Sequence, residues 1–480
     1  MSPAKDPARA VVSRSARIDG SRRATASTPG AIGPASTWGL PLALFLVVFA
    51  LFSVTAERHG VGTDAYAASA QGWRMATTGA PWFDGMDVKE LQGVHNPIEL
   101  GRWIVPASNG HVVAHRMAGP VLAALPFYVV LDQGGATSAS AFSLGPASIA
   151  AATWTAGDVV LLFLALRRRV SAGLAAAGAL AYAFATPTWA VSANGVWTHT
   201  VIQFGLAGAA WALSGRRWGT AGVFIAVGML GRPHLALVAA VLGLGLAWSH
   251  RRWAPAVRIA LPTVASLGLL SVWNHWMFGN WSLTGGGYGG KVAGAAQGFT
   301  DAGYDDVSNS QLLNLIGFFV SPGRGLLVWT PVVLLFLPAI VRARKQLPAW
   351  SVWLAVGGLL YTVAQLRVNH FGGGIAFYGY RHGLELVTCL VPALVFSVRR
   401  LGPVARCVIP PVLAAQVAAI SIGSVNEAYF LQVSRVWNDN GFWVALRYQP
   451  DVVGGWLAIL LAMGILISVM INRDRHVAAD

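Results

Sequence analysis

Long apolar segments recur along the 480-residue chain, and every second one ends in a cluster of basic residues. Hydrophobic residues make up 55% of the sequence and charged residues 11%, whereas about 25% of an ordinary soluble protein is charged. Such a chain has too few polar side chains to cover a water-facing surface. Barrel strands would alternate in polarity instead of forming long apolar runs. The sequence therefore predicts an all-α polytopic membrane protein with about 12 transmembrane helices.

The basic clusters orient this chain, because short loops rich in Lys and Arg face the cytoplasm. If the apolar stretch 114–132 does not cross the bilayer, every cluster falls on the side of the basic N-terminal tail. We therefore predict that 114–132 forms a membrane-lying helix in the first external loop. The net charge of +15 is then an orientation signal, and no nucleic-acid partner is expected.

These rules divide the chain into a disordered basic cytoplasmic tail (1–37), a transmembrane domain (38–471) and a cytoplasmic C-terminal tail (472–480). We expect a multi-pass plasma-membrane protein with both termini in the cytoplasm. Four polar segments would face the other side, and they are 56–144, 278–324, 367–382 and 425–452. Because polar and aromatic residues concentrate there, we predict an extracytoplasmic active site.

Asp64 follows the first apolar segment, where the chain is predicted to leave the bilayer on its external side. A charged group at this junction costs desolvation free energy unless it has a partner or a task. Asp64 opens a predicted amphipathic helix, 64–79, so it could simply cap that helix. The alternative is a catalytic carboxylate, and capping does not exclude catalysis.

His115 and Arg116 form a basic pair just before Gly119-Pro120 and an apolar stretch. This order suits a polyprenyl phosphate, whose head group would meet Arg116 while its tail follows the apolar helix. Interfacial anchoring by snorkelling is the alternative interpretation.

Three further arginines stand at predicted outer membrane edges, each beside glycine or proline. They are Arg232, Arg324 and Arg381. Glycine permits close approach of the backbone, and several guanidiniums on one rim form an anion site. Each could instead pair with a nearby acid, as Arg381 could with Glu385 one helical turn on. We favour a shared phosphate site over three separate pairs.

The predicted external segments also carry aromatic, imidazole and amine groups that could contact a substrate. They are Tyr66, His199, Tyr288, Lys291 and His382. No cysteine or histidine spacing indicates a metal site. Acids in the stretch 301–306 could bind a divalent cation, but nothing fixes their geometry, so neither a metal nor another cofactor is expected.

The order of these signals resembles the GT-C superfamily of integral-membrane glycosyltransferases that use polyprenyl-phosphate sugars. The resemblance covers about residues 38–390. Its matching positions are Asp64 and Tyr66, Gly119-Pro120, Pro126–Tyr128, Trp197 and His199, Arg232-Pro233, Ser321-Pro322-Gly323-Arg324-Gly325, and Tyr378-Gly379-Tyr380-Arg381. Many members carry a second acid after the first, where this chain has Ala65. Many also carry Tyr-Pro-Pro-Gly before the lipid-facing helix, and this chain does not.

The resemblance implies a GT-C-like helical bundle that transfers one sugar, mannose or arabinose-like, with inversion. The donor would be a polyprenyl-phosphate sugar, and the acceptor an extracytoplasmic glycan, glycolipid or protein, with membrane lipids around the bundle. Asp64 would correspond to the catalytic acid that deprotonates the acceptor hydroxyl. The leaving phosphate needs cationic stabilisation. The candidates for it are His115, Arg116, Arg232, Arg324 and Arg381.

Asp158 keeps a second interpretation open, because it lies near the middle of a predicted span. An intramembrane acid is a functional signal in its own right. It favours a transporter or flippase of a lipid-linked or polar solute, with Asp158 as coupling residue. A third interpretation, a non-catalytic scaffold, predicts no binding of polyprenyl phosphate.

Overall fold

A computed structural model describes residues 38–58, 61–91, 103–132, 137–283, 311–374, 377–426 and 433–477. Over these residues the protein is mostly helical, and its one sheet is an antiparallel pair of short strands, β1 (Ile104–Pro106) and β2 (Val112–Ala114). This confirms the predicted helical class. Tyr288 and Lys291, two predicted substrate residues, lie outside the described residues.

The helices follow one another with mostly short connections. The first nine are α1 (Gly39–Thr55), α2 (Thr63–Thr78), α3 (Ala118–Leu131), α4 (Gly145–Leu166), α5 (Ala172–Phe184), α6 (Thr198–Ser214), α7 (Trp218–Met229), α8 (Ala236–His250) and α9 (Ala254–Phe278). Then come α10 (Gln311–Val320), α11 (Leu326–Trp329), α12 (Val332–Ala343), α13 (Ala349–Val368), α14 (Leu384–Ser397), α15 (Pro403–Val425), α16 (Gly441–Tyr448) and α17 (Pro450–Val477).

Five helical segments are long and apolar enough to cross a membrane by length and composition. They are Gly145–Leu166, Pro233–His250, Ala254–Phe278, Ala349–Arg367 and Pro403–Val425. Shorter apolar helices cover most of the other segments that the sequence predicts to span. These helices are compatible with a membrane protein. The number of crossings and their orientation stay predictions, as does the membrane-lying position of α3, which packs against α2 and α4.

Glycine lets α6 and α7 approach until their backbones touch. A Cβ on Gly205 of α6 would lie 2.6 Å from the carbonyl oxygen of Phe224 and 2.9 Å from Cα of Gly228, both in α7. On its other side α7 meets α9, where a Cβ on Gly222 would lie 2.7 Å from the carbonyl oxygen of Ile259. Small residues at helix contacts are the usual means of tight packing in membranes, where apolar side chains gain little by leaving lipid.

A second glycine contact positions the polar end of the bundle. The Gly119 N–H donates to the carbonyl oxygen of Leu230 at 2.8 Å, and a Cβ on Gly119 would lie 2.7 Å from the backbone nitrogen of Gly231. The start of α3 therefore lies against the end of α7. Because Arg116 precedes α3 and Arg232 follows α7, this contact brings two of the predicted phosphate residues to the same region.

Basic clusters that the sequence predicts on one side of the membrane also contact each other. Arg168, after α4, donates to the Trp211 carbonyl oxygen at 2.9 Å and to Ser214 Oγ at 2.8 Å, both near the end of α6. Arg217, just after α6, lies over the Trp211 ring at 5.4 Å. The two clusters thus share one end of the bundle, in agreement with the predicted topology.

Gly205→Ala is expected to lower the free energy of unfolding by about 1–3 kcal/mol, the range for overpacking a tight contact. The added methyl group would meet the backbone of α7, which cannot move aside as a side chain can. Thermal unfolding of the detergent-solubilised protein measures this change.

Gly219→Ala is the matched control, because Gly219 also lies in a helix but has nothing within 4 Å of its would-be Cβ. It should be neutral or stabilising, since alanine favours helix over glycine by up to ~1 kcal/mol. Equal destabilisation by both substitutions would contradict the role assigned to the contact.

Candidate active site at a cluster of arginines

Asp64 lies in the first turn of α2 but does not cap it. Gly62 holds the N-cap position and makes no side-chain cap. Among the described residues, Asp64 Oδ1 accepts a hydrogen bond from the adjacent Ala65 N–H alone, at 3.1 Å, so the capping interpretation is wrong. The helix ends at Thr78, one residue before the predicted end at 79, and Gly79 follows as its C-cap with φ of 72°.

The indole of Trp197 fixes how the chain enters α2. A Cβ on Gly62 would lie 2.5 Å from the Trp197 ring and 3.3 Å from Asp64 Oδ1. Only glycine lets the backbone lie flat against this indole. The Trp-containing corner before α6 and the carboxylate of Asp64 are therefore placed side by side.

Two arginines from distant parts of the chain share one oxygen of Asp64. Arg381 Nη1 donates to Asp64 Oδ2 at 3.2 Å, and Arg116 Nη1 lies 3.6 Å from the same oxygen. Only 22% of the Asp64 side chain is exposed, against 14% for Arg381 and 8% for Arg116. Arg381 thus pairs with Asp64 and not with Glu385, the acid that the sequence offered as its alternative partner.

This pairing decides the ionisation of Asp64. Burial alone would raise the pKa of its carboxyl group. The charges of Arg381 and Arg116, together with the hydrogen bonds from Arg381 and the Ala65 N–H, outweigh burial and hold that pKa below the ordinary 3.8. Asp64 is therefore a carboxylate at neutral pH.

Aromatic faces hold both guanidiniums. The Arg116 guanidinium lies 3.6 Å from the centre of the Trp103 ring, and its Nε donates to the His115 carbonyl oxygen at 2.6 Å. The Arg381 guanidinium lies 5.3 Å from the Trp197 ring and 5.1 Å from the Phe377 ring. Cation–π contacts of this kind leave the edge of the guanidinium available for an anion.

Arg324 shapes the loop that carries Arg381. Its Nη1 donates to the carbonyl oxygens of Phe377 and Gly379 at 2.9 and 2.8 Å, and its guanidinium lies 3.8 Å from the Phe377 ring. Arg324 is 2% exposed. These contacts give it a positioning role, and direct phosphate binding by Arg324 stays a prediction.

Glycine is also required structurally at one position of Gly372-Gly373-Gly374, the run that precedes this loop. Gly373 has φ of 66°, a conformation that other residues rarely adopt. A Cβ there would lie 3.1 Å from Arg381 Nε and 3.1 Å from His382 Nε2. Gly373 is therefore part of the wall against which both side chains rest.

A buried polar chain lies behind the cluster. His199 Nδ1 lies 2.6 Å from Glu385 Oε1, with both side chains fully buried, and Arg232 Nη2 lies 3.4 Å from His199 Nε2. Because a guanidinium can only donate, Nε2 of His199 accepts a hydrogen bond from Arg232. The imidazole proton is therefore on Nδ1, which donates a hydrogen bond to Glu385 Oε1. Glu385 and His199 therefore fix Arg232. In the sequence, Glu385 stood out only as an acid at the start of an apolar segment, within reach of Arg381, and its contact with His199 was not predicted.

His382 is the neutral member of the same region. Its Nδ1 accepts from Gln365 Nε2 at 3.3 Å, and its ring meets the ring of His199 edge-on at 5.8 Å. Burial, and then the charges of Arg232 and Arg381, hold the pKa of His382 well below its ordinary value. Both arginines thus lie close to one uncharged imidazole.

Two predicted site residues have other surroundings. Tyr66 is buried and packs edge-on against Phe142 with ring centres 5.0 Å apart. It follows Asp64 by two positions, which is about 200° around a helix, so its ring points away from the cluster and substrate contact is not expected. His115 is buried with its ring edge-on to Phe278 at 5.8 Å.

Within the described ranges, no group of three or more His, Cys, Asp or Glu side chains is placed to hold a metal ion. Comparison with models of known protein families gave no match, and comparison with curated proteins gave no significant match. The function must therefore be inferred from the chain's own geometry.

The Asp64 carboxylate is expected to stabilise the fold at neutral pH and to lose this effect in acid. Because the pKa of Asp64 is lowered in the folded protein, its contribution to the free energy of unfolding is constant at pH values well above 3.8. That contribution falls as the pH drops from about 3.8 through the lower folded pKa. Asp64→Asn should reduce the free energy of unfolding at pH 7 by about 2 kcal/mol, the size of a hydrogen bond between charged groups. Thermal unfolding in detergent at pH 7 and at pH 3 measures both effects.

The difference in free energy of unfolding between Asp64→Asn and the wild type should be smaller at pH 3 than at pH 7. Asp451→Asn, which removes an exposed carboxylate outside the cluster, should follow the wild type at both. If Asp64→Asn were as stable as the wild type at pH 7, Asp64 would not be the counter-ion of the two arginines.

Proposed function

We propose that the protein is an inverting GT-C-type glycosyltransferase of the plasma membrane. It would transfer one sugar, mannose or arabinose-like, from polyprenyl phosphate to an extracytoplasmic glycan, glycolipid or protein. The observation that carries the proposal is the shared contact of Arg116 and Arg381 with Asp64 Oδ2. Asp64 and Arg116 belong to the first predicted external segment and Arg381 to the third, so their convergence supports one site on that face.

The charge of the site suits a phosphate. Arg116 and Arg381 carry two positive charges against the Asp64 carboxylate, and Arg232 lies behind them with His199 and Glu385. The excess of positive charge matches a phosphate that gains negative charge as the sugar departs. Bidentate contacts from guanidinium groups are the usual protein solution for such an anion.

The contact between Asp64 and Arg381 is too short for the reaction itself. At 3.2 Å no sugar ring fits between the carboxylate and the guanidinium. Inversion requires the base and the leaving group on opposite faces of the sugar. Donor binding must therefore separate the pair, with the phosphate replacing Asp64 as the partner of the arginines.

This exchange would also prepare the base. Once the guanidiniums turn towards the phosphate, they stabilise the Asp64 carboxylate less and its pKa rises. Asp64 then accepts the proton of the acceptor hydroxyl while the acceptor oxygen bonds to the anomeric carbon. The bond from that carbon to the phosphate oxygen breaks, and its electron pair stays on the phosphate.

The donor's lipid tail would follow α3. This apolar helix begins two residues after Arg116, and its far end exposes Val130 and Leu131. A phosphate held at Arg116 thus has a hydrophobic path beside it. In this proposal the bundle has about 12 crossings, α3 lies along the membrane, and both termini are cytoplasmic.

A second candidate function is transport or flipping of a solute, and Asp158 favours it. Asp158 is fully buried in α4, and neither carboxyl oxygen has a hydrogen-bond partner among the described residues. A protonated acid in such a place can couple proton movement to transport. Substitutions of Asp64 and of Asp158 therefore distinguish the transferase from the transporter.

Asp64→Asn is expected to reduce sugar transfer by about 10²–10⁴-fold, the usual contribution of a general base. The amide keeps the side-chain shape but cannot take the proton. The assay follows release of polyprenyl phosphate from polyprenyl-phosphate mannose and polyprenyl-phosphate arabinose by the membrane-embedded protein. Equal elution of both proteins as a single species checks the fold.

Asp84→Asn is the matched control, since Asp84 pairs with His111 away from the cluster, and it should retain transfer. Full activity of Asp64→Asn would refute the mechanism. Loss of solute movement in Asp158→Asn, with Asp64→Asn unaffected, would favour the transporter. A wild type that binds no polyprenyl phosphate would favour a scaffold.

A further inference from the structure

A concave surface lies close to the loop that carries Arg381. It is a cleft of about 500 Å³ between α16 and the start of α11. Its walls include Pro322, Val328, Arg435, Asn438, Trp443 and Tyr448. None of these residues has a role in the proposed transfer, and all lie in or next to segments that the sequence predicts to be external.

The cleft exposes flat aromatic surface. Trp443 is 64% exposed and Tyr448 65% exposed, and both belong to α16, an eight-residue helix. Aromatic belts at a membrane surface also expose such rings, but they do not require a concave wall. Here the rings stand beside polar side chains, which is the composition of a site for a ligand with both an apolar face and polar edges.

The charges of the cleft are mixed, with two arginines and one acid in its lining. Arg435 Nε lies 2.6 Å from Asp439 Oδ2, so this arginine is already compensated. Arg447 lies beside the Tyr448 ring and forms no ion pair within the part of the chain that the structure describes. An anionic head group would meet the Asp439 carboxylate, whereas hydroxyl groups can use carboxylate, guanidinium and amide alike.

The cleft is preformed and is tied to the loops of the proposed active site. Asn440 Nδ2 donates to the Pro322 carbonyl oxygen at 2.7 Å, and Asn440 Oδ1 accepts from the Phe442 N–H at 2.9 Å. The Gly323 N–H donates to the Val436 carbonyl oxygen at 2.9 Å. These bonds join both walls of the cleft, so little ordering is needed when a ligand binds.

Tyr378 connects the cleft to the Arg381 loop. A Cβ on Gly441, the first residue of α16, would lie 3.2 Å from the Tyr378 ring, so a larger residue there would require Tyr378 to shift. Tyr378 stands between the two residues whose carbonyl oxygens Arg324 holds. The cleft therefore adjoins the loop that carries Arg381.

We propose that this cleft binds a neutral carbohydrate portion of the acceptor, an inference that rests on the proposed glycosyl transfer. A sugar ring has an apolar face of C–H groups that can lie on Trp443 or Tyr448. Its hydroxyl groups can meet Asn438, Asp439 and Arg447 at the edges. The acceptor would thus be a glycan or glycolipid, held by a sugar unit away from the reacting hydroxyl.

Saturation-transfer difference NMR with neutral methyl glycosides and short oligosaccharides of hexoses and pentoses tests this site on the full-length protein in nanodiscs. The wild type should bind at least one of these probes. Trp443→Ala should raise its Kd by about tenfold, as expected for loss of one aromatic contact, and Asn438→Ala should weaken it as well. Trp253→Ala, which removes a tryptophan 72% exposed elsewhere, is the matched control.

Asp64→Asn separates this inference from the proposed function. If it retains carbohydrate binding while losing transfer, both ideas are supported. If the wild type binds the glycosides through Trp443 but transfers no sugar, the cleft stands and the transferase proposal fails. Binding of no neutral glycoside, or equal binding by Trp443→Ala, would overturn the cleft proposal. Binding of dihexanoyl-phosphatidylglycerol in their place, lost in Trp443→Ala, would make the cleft a lipid site.

Discussion

The meeting of three charges at one carboxylate oxygen constrains the rest of this structure. Arg116 and Arg381 come from opposite halves of the chain and are both mostly buried against Asp64. Removing one member would leave the others partly desolvated and unpaired, which is far costlier than an exposed unpaired charge. The loops around this point must therefore be held accurately, and several otherwise unrelated features of the chain do so.

Glycine contacts and buried arginine supply that accuracy. The contact of Gly119 with Gly231 sets the start of α3, and Gly62 seats α2 on the Trp197 indole. Arg324 binds two backbone carbonyl groups and so fixes the loop before Arg381. In the proposed reaction, the site opens by exchange of the Asp64 carboxylate for the phosphate of the donor.

Residue type at predicted membrane edges identified the members of this cluster. Asp64 stood out as a charge that burial makes costly, and Arg116, Arg232 and Arg381 as cations near glycine or proline, and the structure brings all four into one region. The alternation of basic clusters likewise agrees with the contacts at the other end of the bundle. These signals are local, and the cost of burying charge makes them informative.

Other features depend on contacts between distant segments, and no local pattern contains them. Glu385 looked like an acid at a helix start, and its partner His199 is 186 positions away. Arg324 has the residue type of a phosphate ligand, but its guanidinium meets backbone carbonyl groups that only the fold presents. The position of Tyr66 could have been predicted, because helical geometry places it on the side of α2 opposite to Asp64. The cleft beside α16 could not be predicted either, because one of its walls is formed by Pro322, which is distant from α16 in the sequence.

The most direct test of the account is a density map of the full-length protein with a non-hydrolysable polyprenyl-phosphate-sugar analogue. We expect the phosphate within hydrogen-bond distance of Arg116 and Arg381, and the Asp64–Arg381 contact broken. The sugar should lie between the phosphate and the Asp64 carboxylate. A phosphate bound elsewhere, with the Asp64–Arg381 contact intact, would contradict it.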